Sequence, residues 1–187
     1  MGNPVVLALD AMGGDNAPRE PVRAAILAAR DGVRVILVGD AAVIQQELSR
    51  HDSTGTDLEI VHAPDVVSSG DDGAKAVRAK PDSSLVVATK LVAEGRASAL
   101  VSPGNTGASL AAATLHLRRL PGVIRPAIAV VMPTARGPVT LLDAGANAES
   151  KPEYLVQFAL MGRLLARDVL QIPAPTVGLL SIGEEAG

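Results

Sequence analysis

The chain has 187 residues, 48% apolar and 20% charged, which suffices for a packed core and excludes global disorder. Aromatic content is 1%, Tyr154 and Phe158 alone, and the formal net charge is -3, so neither base stacking nor a basic footprint is available for nucleic acid. Cysteine is absent, which removes disulfides, thiolate metal sites and a cysteine acyl-enzyme. No apolar run reaches the roughly 18 residues of a transmembrane helix. The amino terminus lacks the basic-then-apolar order of a signal peptide. The length predicts residues 1–187 as a single α/β domain.

Pro4 to Leu9 is a short apolar run closed by Asp10, a buried strand. Ala11 to Pro18 is a turn-rich loop, and a helix follows from near Glu20 to near Gly32, with Pro21 in its first turn. Arg34 to Val38 is a second strand, Ala41 to Arg50 a helix and Leu58 to His62 a third strand. From Ala63 to Pro81 the pattern is less regular: Ser69 to Gly73 reads as a loop and Ala74 to Lys80 as one or two helical turns. Pro81 to Ser84 offers an N-cap for a helix from Leu85 to about Glu94, stopped by Gly95. Ala99 to Ser102 is a strand, Pro103 to Gly107 a loop and Ala108 to Arg119 a helix. Ala127 to Met132 and Val139 to Leu142 are strands around a Pro133 to Pro138 turn. Asp143 to Ser150 is polar, Pro152 to Leu170 a long helix and Val177 to Ile182 a last strand. Strands and helices alternate, and most strands are continuous apolar runs. That predicts a doubly wound, mostly parallel sheet with helices on both faces.

In such sheets ligands bind outside the carboxyl ends of the strands. Four loops at such places are rich in Gly, Asn and Asp: Asp10 to Pro18, Ser102 to Gly107, Asp143 to Asn147 and Gly183 to Gly187. They are expected to converge on one edge of the sheet. Glycines let backbone N–H groups approach an anion, and the helices that follow point their positive ends at the same place. The pattern predicts a site for phosphate or a similar oxyanion. Taken singly, each loop also reads as an ordinary turn or helix cap; recurrence at equivalent places favours the site.

The common nucleotide and hydrolase signatures are missing: no G-x-x-x-x-G-K-[ST], no G-x-G-x-x-G after the first strand and no G-x-S-x-G. His51, His62 and His116 have no metal-ligand spacing and read as structural or solvent-facing, so no metal site is predicted. Glu184 and Glu185 fit a solvated pair or cation ligands equally.

At the loops the sequence resembles a known family. Asp10 to Pro18 (DAMGGDNAP) is similar to the signature of the bacterial phosphate acyltransferases of phospholipid synthesis, the PlsX family. The resemblance continues through Leu37 to Asp40, Ile60 to Ala63, Ala76 to Arg78, Asp82 to Ser84, Gly104 to Gly107 and Arg125 to Ala127. It extends through Leu141 to Asn147, Lys151 to Glu153, Leu155 to Ala159 and Gly178 to Glu185. It implies a phosphotransacetylase-like three-layer sandwich. It implies transfer of a long-chain acyl group from acyl carrier protein to inorganic phosphate, giving acyl phosphate for a membrane glycerol-3-phosphate acyltransferase. It implies no cofactor, a homodimer, and a cytoplasmic protein held peripherally at the inner face of the membrane. In the family the Gly-Glu-Glu segment runs on into a further helical region, whereas here Ala186 and Gly187 follow it. The resemblance therefore implies the N-terminal part of a longer chain, with the membrane segment and much of the carrier-protein surface outside it.

On that resemblance, the backbone amides of Gly13, Gly14, Gly104 and Gly107 cradle phosphate, with Gly145 and Gly183 in the equivalent loops. Asn16, Asn105, Thr106 and Asn147 donate to phosphate or to the thioester oxyanion, Asp10 and Asp143 orient those donors, and Lys151 offsets the anionic charge. Asn105→Ala and Asn147→Ala are expected to impair catalysis with little change in melting temperature. The competing readings are a truncated, catalytically incomplete binding or dimerisation module, and an oxidoreductase on a related sheet.

Overall fold

The consecutive apolar residues of Arg34–Gly39 explain the architecture. In a strand, neighbours point to opposite faces. Val35 and Leu37 pack with Leu9, with Val22, Ala25 and Ile26 of one helix and with Ile44 of another. Ile36 and Val38 point the other way and pack with Ala8, Ala88 and Leu91. A strand covered on both faces has no polar side to show, which is why its sequence does not alternate.

A computed structural model describes residues 5–147 and 149–180. Packing groups the chain into two units, Met1–Arg118 and Arg119–Gly187. In the first unit β1 (Val6–Asp10), β2 (Arg34–Gly39), β3 (Leu58–His62) and β4 (Ala99–Val101) form an all-parallel sheet in the order β3-β2-β1-β4. Helices α1 (Arg19–Arg30), α2 (Ala41–Leu48), α3 (Gly73–Ala79), α4 (Ser84–Ala93) and α5 (Thr106–His116) alternate with the strands or follow them. Successive strands move outward from β1 to β3, and the chain then returns to place β4 on the free side of β1. The β1/β4 boundary is thus the point where strand order reverses, the usual place for a ligand crevice in an open α/β sheet. Register brings Asp10 opposite Val38 and Leu9 opposite Val101, so β1, β2 and β4 end at one edge.

Helix starts follow their caps. Asp40 accepts from the amides of Ala42 and Val43 at 2.9 and 3.2 Å to begin α2, and Asp72 accepts from Lys75 at 3.1 Å to begin α3. Ser83 occupies the expected cap position of α4, yet its hydroxyl makes no cap bond and is buried without a partner. A third apolar cluster, including Val77, Leu85, Val86, Ala108 and Ala112, joins α3, α4 and α5.

The second unit contains an antiparallel hairpin, β5 (Ala129–Thr134) and β6 (Gly137–Leu142), and the helix α6 (Pro152–Asp168). Here two expectations need correction. The Pro133 to Pro138 stretch is not a turn: the ladder runs on to Thr134 opposite Gly137, with Pro133 opposite Pro138 and only Ala135 and Arg136 between the strands. Next to the hydrogen-bonded closing pair of a two-residue hairpin the N–H groups face away from the partner strand, so proline sacrifices no ladder bond there. Val177–Leu180 is not in a strand, because an extended apolar run becomes one only where another strand pairs with it. Ser181 and Ile182, the rest of that expected strand, lie outside the described residues.

Candidate anion-binding site

Asp10 ends β1 and is buried, 3% exposed. Its Oδ1 accepts from the Met12 amide at 3.2 Å, and its Oδ2 accepts from the Ser102 hydroxyl at 2.8 Å. The Ser102 oxygen in turn accepts from the Gly104 amide at 3.2 Å. A carboxylate, a hydroxyl and an amide thus tie the loop after β1 to the loop after β4. The backbones approach closely: a Cβ on Gly13 would stand 2.7 Å from Asp10 Oδ2 and 3.0 Å from the Gly104 nitrogen. Gly14 has φ +86°, a conformation that glycine adopts without strain.

These loops leave backbone donors unused. Among the described residues no hydrogen bond engages the N–H groups of Gly13, Gly14, Asp15 and Asn16, or those of Thr106 and Gly107 in the first turn of α5. Asp15, Asn16, Thr106 and Gly107 are exposed. The first-turn amides of α5 also carry the positive end of its dipole. Two of the four expected loops therefore meet at the switch point with an array of free donors. A small hollow lined by Val6, Arg34, Asp57 and Glu59 lies at the opposite, amino-terminal edge of the sheet, away from these loops.

Asn105 is more occupied than sequence alone indicates. Its Oδ1 caps α5 by accepting from Ala108 at 2.9 Å. Its Nδ2 faces the carbonyls of Ser68, Ser69 and Asp71 at 3.2, 3.2 and 2.9 Å. Both amide hydrogens are thereby engaged, and the side chain pins the irregular 68–71 segment beside the site. The Asn16 side chain makes no hydrogen bond among the described residues, while its carbonyl accepts from Glu20 at 3.1 Å to open α1. The 68–71 segment is fixed a second time by Asp71, which accepts from Lys80 at 2.8 Å and from the Ser68 amide at 3.0 Å. The bond from Lys80, then that from Ser68, hold the Asp71 carboxyl below its ordinary range.

Two residues with structural roles here escaped sequence reading. Ser102 is the hub between the loops, but a serine after a short strand carries no signal of its own. Gly73 begins α3 where a Cβ would stand 2.4 Å from the Ala108 nitrogen and 2.5 Å from the Gly107 carbonyl carbon. Only glycine lets α3 press against the start of α5, and in sequence it is one glycine among several turn-formers.

The Asp143 to Asn147 loop belongs to the second unit. Asp143 Oδ1 accepts from the amides of Ile128 and Ala146 at 2.8 and 3.1 Å. Its Oδ2 accepts from the backbone and side-chain nitrogens of Asn147, both at 2.9 Å. Burial alone would raise this carboxyl, but the donors from Ile128, Asn147 and Ala146 outweigh it and hold it below its ordinary value. Asn147 also donates to the Pro126 carbonyl at 3.0 Å. Gly145 takes φ +109° at the bend, and Lys151 stands exposed at the N-cap of α6. Gly183, Glu184 and Glu185 lie outside the described residues.

The histidines are accounted for locally. His51 pairs with Glu47 at 3.0 Å, and His62 Nδ1 accepts from the Ala41 amide at 3.2 Å. Burial, then the charge of Lys90, lowers the pKa of His116. Among the described residues no group of three or more His, Cys, Asp or Glu is placed to hold a metal.

A parallel sheet with helices on both faces defines a doubly wound α/β fold, and a solved structure shares it. The chain superposes on the EutD phosphotransacetylase from Staphylococcus aureus with TM-score 0.62 at 19% identity, over 87% of this chain and 53% of that one. This likeness establishes a phosphotransacetylase-like fold.

A family model described as "Fatty acid synthesis protein" matches residues 5–187, and the chain belongs to that family. It is 52% identical over 182 residues to the phosphate acyltransferase of Desulforamulus reducens, covering 97% of this chain and 54% of that protein. With the phosphate acyltransferase of Geobacter sulfurreducens it shares 50% identity over 96% of this chain and 52% of the relative. With that of Gloeobacter violaceus it shares 51%, over 98% and 54%. The chain spans about half the length of the curated relatives it matches. No helix among the described residues is long and apolar enough to cross a membrane.

Proposed function

We propose that this chain carries the phosphate-binding part of an enzyme that moves a long-chain acyl group from acyl carrier protein to inorganic phosphate. The observation that supports it most is the junction of the β1–α1 and β4–α5 loops, with their free amides, in a chain whose half-identical relatives are named phosphate acyltransferases. Phosphate is already a nucleophile at neutral pH. One of its oxygens attacks the thioester carbonyl, an oxyanion forms, and the C–S bond breaks with its electron pair on the carrier's thiol sulfur. No enzyme nucleophile is needed; orientation and donors for negative charge are.

The amides of Gly13 and Gly14 and those of Thr106 and Gly107 receive the phosphate, and the Asn16 amide adds a movable donor. Gly104 already donates to Ser102, so its part is the close approach of the two backbones. Asp10 and Asn105 are positioning residues: one fixes the junction, the other holds the start of α5 and the 68–71 segment. In the second unit Asp143 shapes the bend at Gly145 and orients Asn147, and Lys151 supplies a cation. Gly183 belongs to the same proposal. So do a homodimer, peripheral residence at the inner face of the cell membrane, and hand-over of acyl phosphate to a membrane glycerol-3-phosphate acyltransferase.

The test supplies acyl-acyl carrier protein and phosphate to this chain and to a chimera that adds the part of the Desulforamulus reducens relative it does not span. Acyl phosphate is trapped as hydroxamate. Phosphate-dependent hydroxamate from the chimera supports the reading, and activity of the chimera alone defines the 187-residue chain as an incomplete enzyme. Hydroxamate from neither, with the chimera folded by circular dichroism, overturns it.

A further inference from the structure

Lys80 closes α3, and its ammonium turns back onto the chain rather than out to solvent. Nζ donates to the Val66 carbonyl at 2.9 Å and to Asp71 Oδ2 at 2.8 Å, in a pair whose side chains are 35% and 33% exposed. At the start of the same helix Lys75 and Asp72 pair at 3.4 Å with side chains 84% and 55% exposed. An open pair of that kind holds little, whereas a partly enclosed ammonium that also satisfies a carbonyl is costly to truncate. Asp71 passes the constraint on. Its Oδ2 also accepts from the Ser68 amide at 3.0 Å, and its own amide donates to the Ser68 carbonyl at 3.1 Å, so residues 68–71 form a closed turn. The carbonyls of Ser68, Ser69 and Asp71 in that turn face Asn105 Nδ2. Asn105 Oδ1 then caps α5, whose Thr106 and Gly107 amides are free among the described residues. Val67, beside this turn, is buried in the cluster that includes Val77 and Ala108, which anchors the segment from beneath.

From this relay we infer that Lys80 is a positioning residue of the anion site. Through Asp71 and the 66–71 segment it fixes Asn105, and through Asn105 the first-turn amides of α5 that receive the anion. The inference rests on the reading of those amides as phosphate donors. A lysine near an anion site is ordinarily taken as a counter-charge. Here two of the three Nζ hydrogens are spent on protein oxygens, and one of those oxygens belongs to a carboxylate that already offsets the charge. What Lys80 supplies is therefore geometry: it keeps the turn at 68–71 where Asn105 can grip it, and so keeps the start of α5 in place before the ligand arrives.

The test titrates inorganic phosphate into this chain and its variants and reads the dissociation constant from the ¹⁵N shifts of Thr106 and Gly107, with β1 and β2 amides as the check on folding. Lys80→Met should weaken phosphate on the order of tenfold, the loss expected for one member of a coupled network. Lys80→Arg, which keeps the charge and the donors, should recover most of it. In an Asn105→Ala background Lys80→Met should add nothing, because its route to α5 is already cut. Additive losses in the double variant would overturn the inference, since a direct counter-charge acts without Asn105. Unchanged affinity in Lys80→Met, beside phosphate binding by the unaltered chain, would also overturn it and leave the proposed function standing. Absence of any phosphate shift at Thr106 and Gly107 in the unaltered chain removes both. Should Lys80→Met displace the β1 and β2 amides, Asp71→Ala cuts the same relay, with the same loss expected and the same additivity overturning the inference.

Discussion

The two units use similar apolar content to different effect. In the first, both faces of the parallel sheet are covered, and Leu37, Ile44, Val22 and Val38 are wholly buried. In the second, Phe158 and Ala166 are the buried apolar side chains among the described residues, while a succession of valines and leucines remains exposed. Hydrophobic composition therefore does not locate a core. A core needs layers on both sides of each apolar element, and the sequence within a unit shows only which elements demand them.

This contrast is sharpest in large-to-small substitutions. Leu37→Ala should lower the unfolding free energy by about 2–5 kcal/mol, because the side chain is enclosed and its cavity has little room to collapse. Urea unfolding followed by circular dichroism checks this; a loss below about 1 kcal/mol would mean that β2 is not the packed centre described.

Asn105→Ala tests the junction of cap and clamp. It removes the α5 cap and the donors to three carbonyls, and should cost roughly 1–3 kcal/mol. Asn105→Asp, which keeps the cap and loses the donors, should recover part of it. An unchanged melting temperature with lost activity would instead make Asn105 a direct catalytic donor, as sequence reading alone expects.

A third prediction concerns pH in the second unit. The Asp143 carboxyl titrates lower in the folded chain than its unfolded value of about 3.9. Its contribution is therefore fully present above that value and is lost as pH falls through the lower, folded one. Tyr154 is the sole tyrosine and lies in α6, so its fluorescence reports this unit. Acid unfolding seen by Tyr154 should shift to higher pH and lose steepness in Asp143→Asn; an unchanged acid midpoint would contradict the hydrogen-bonded loop. The smallest effect belongs to Val131→Ala, within about 0.5 kcal/mol in this chain because the side chain is half exposed.

The parallel sheet was readable from sequence because each strand is a bounded apolar run and each helix begins at a turn or cap residue. Asp10 and the Gly13–Gly14 and Gly104 loops were readable for the same reason: strand ends in such a sheet share an edge. The partners of Asn105 were not, since three carbonyls more than thirty residues away leave no local trace. Nor was the length of the β5–β6 ladder. Two prolines signal a turn in isolation, and become tolerable only once register turns their ring nitrogens away from the neighbouring strand. Val177–Leu180 shows the opposite failure, an extended propensity with no strand partner among the described residues to realise it.

The most direct measurement is a titration of this chain with inorganic phosphate, followed by ¹⁵N amide shifts. Gly13, Gly14, Thr106 and Gly107 should shift together along one saturating curve, and Gly13→Ala should abolish those shifts while β2 and β3 amides stay in place. Phosphate shifts that ignore these amides, or that gather at the amino-terminal edge around Arg34, would contradict an anion cradle at the β1/β4 switch point.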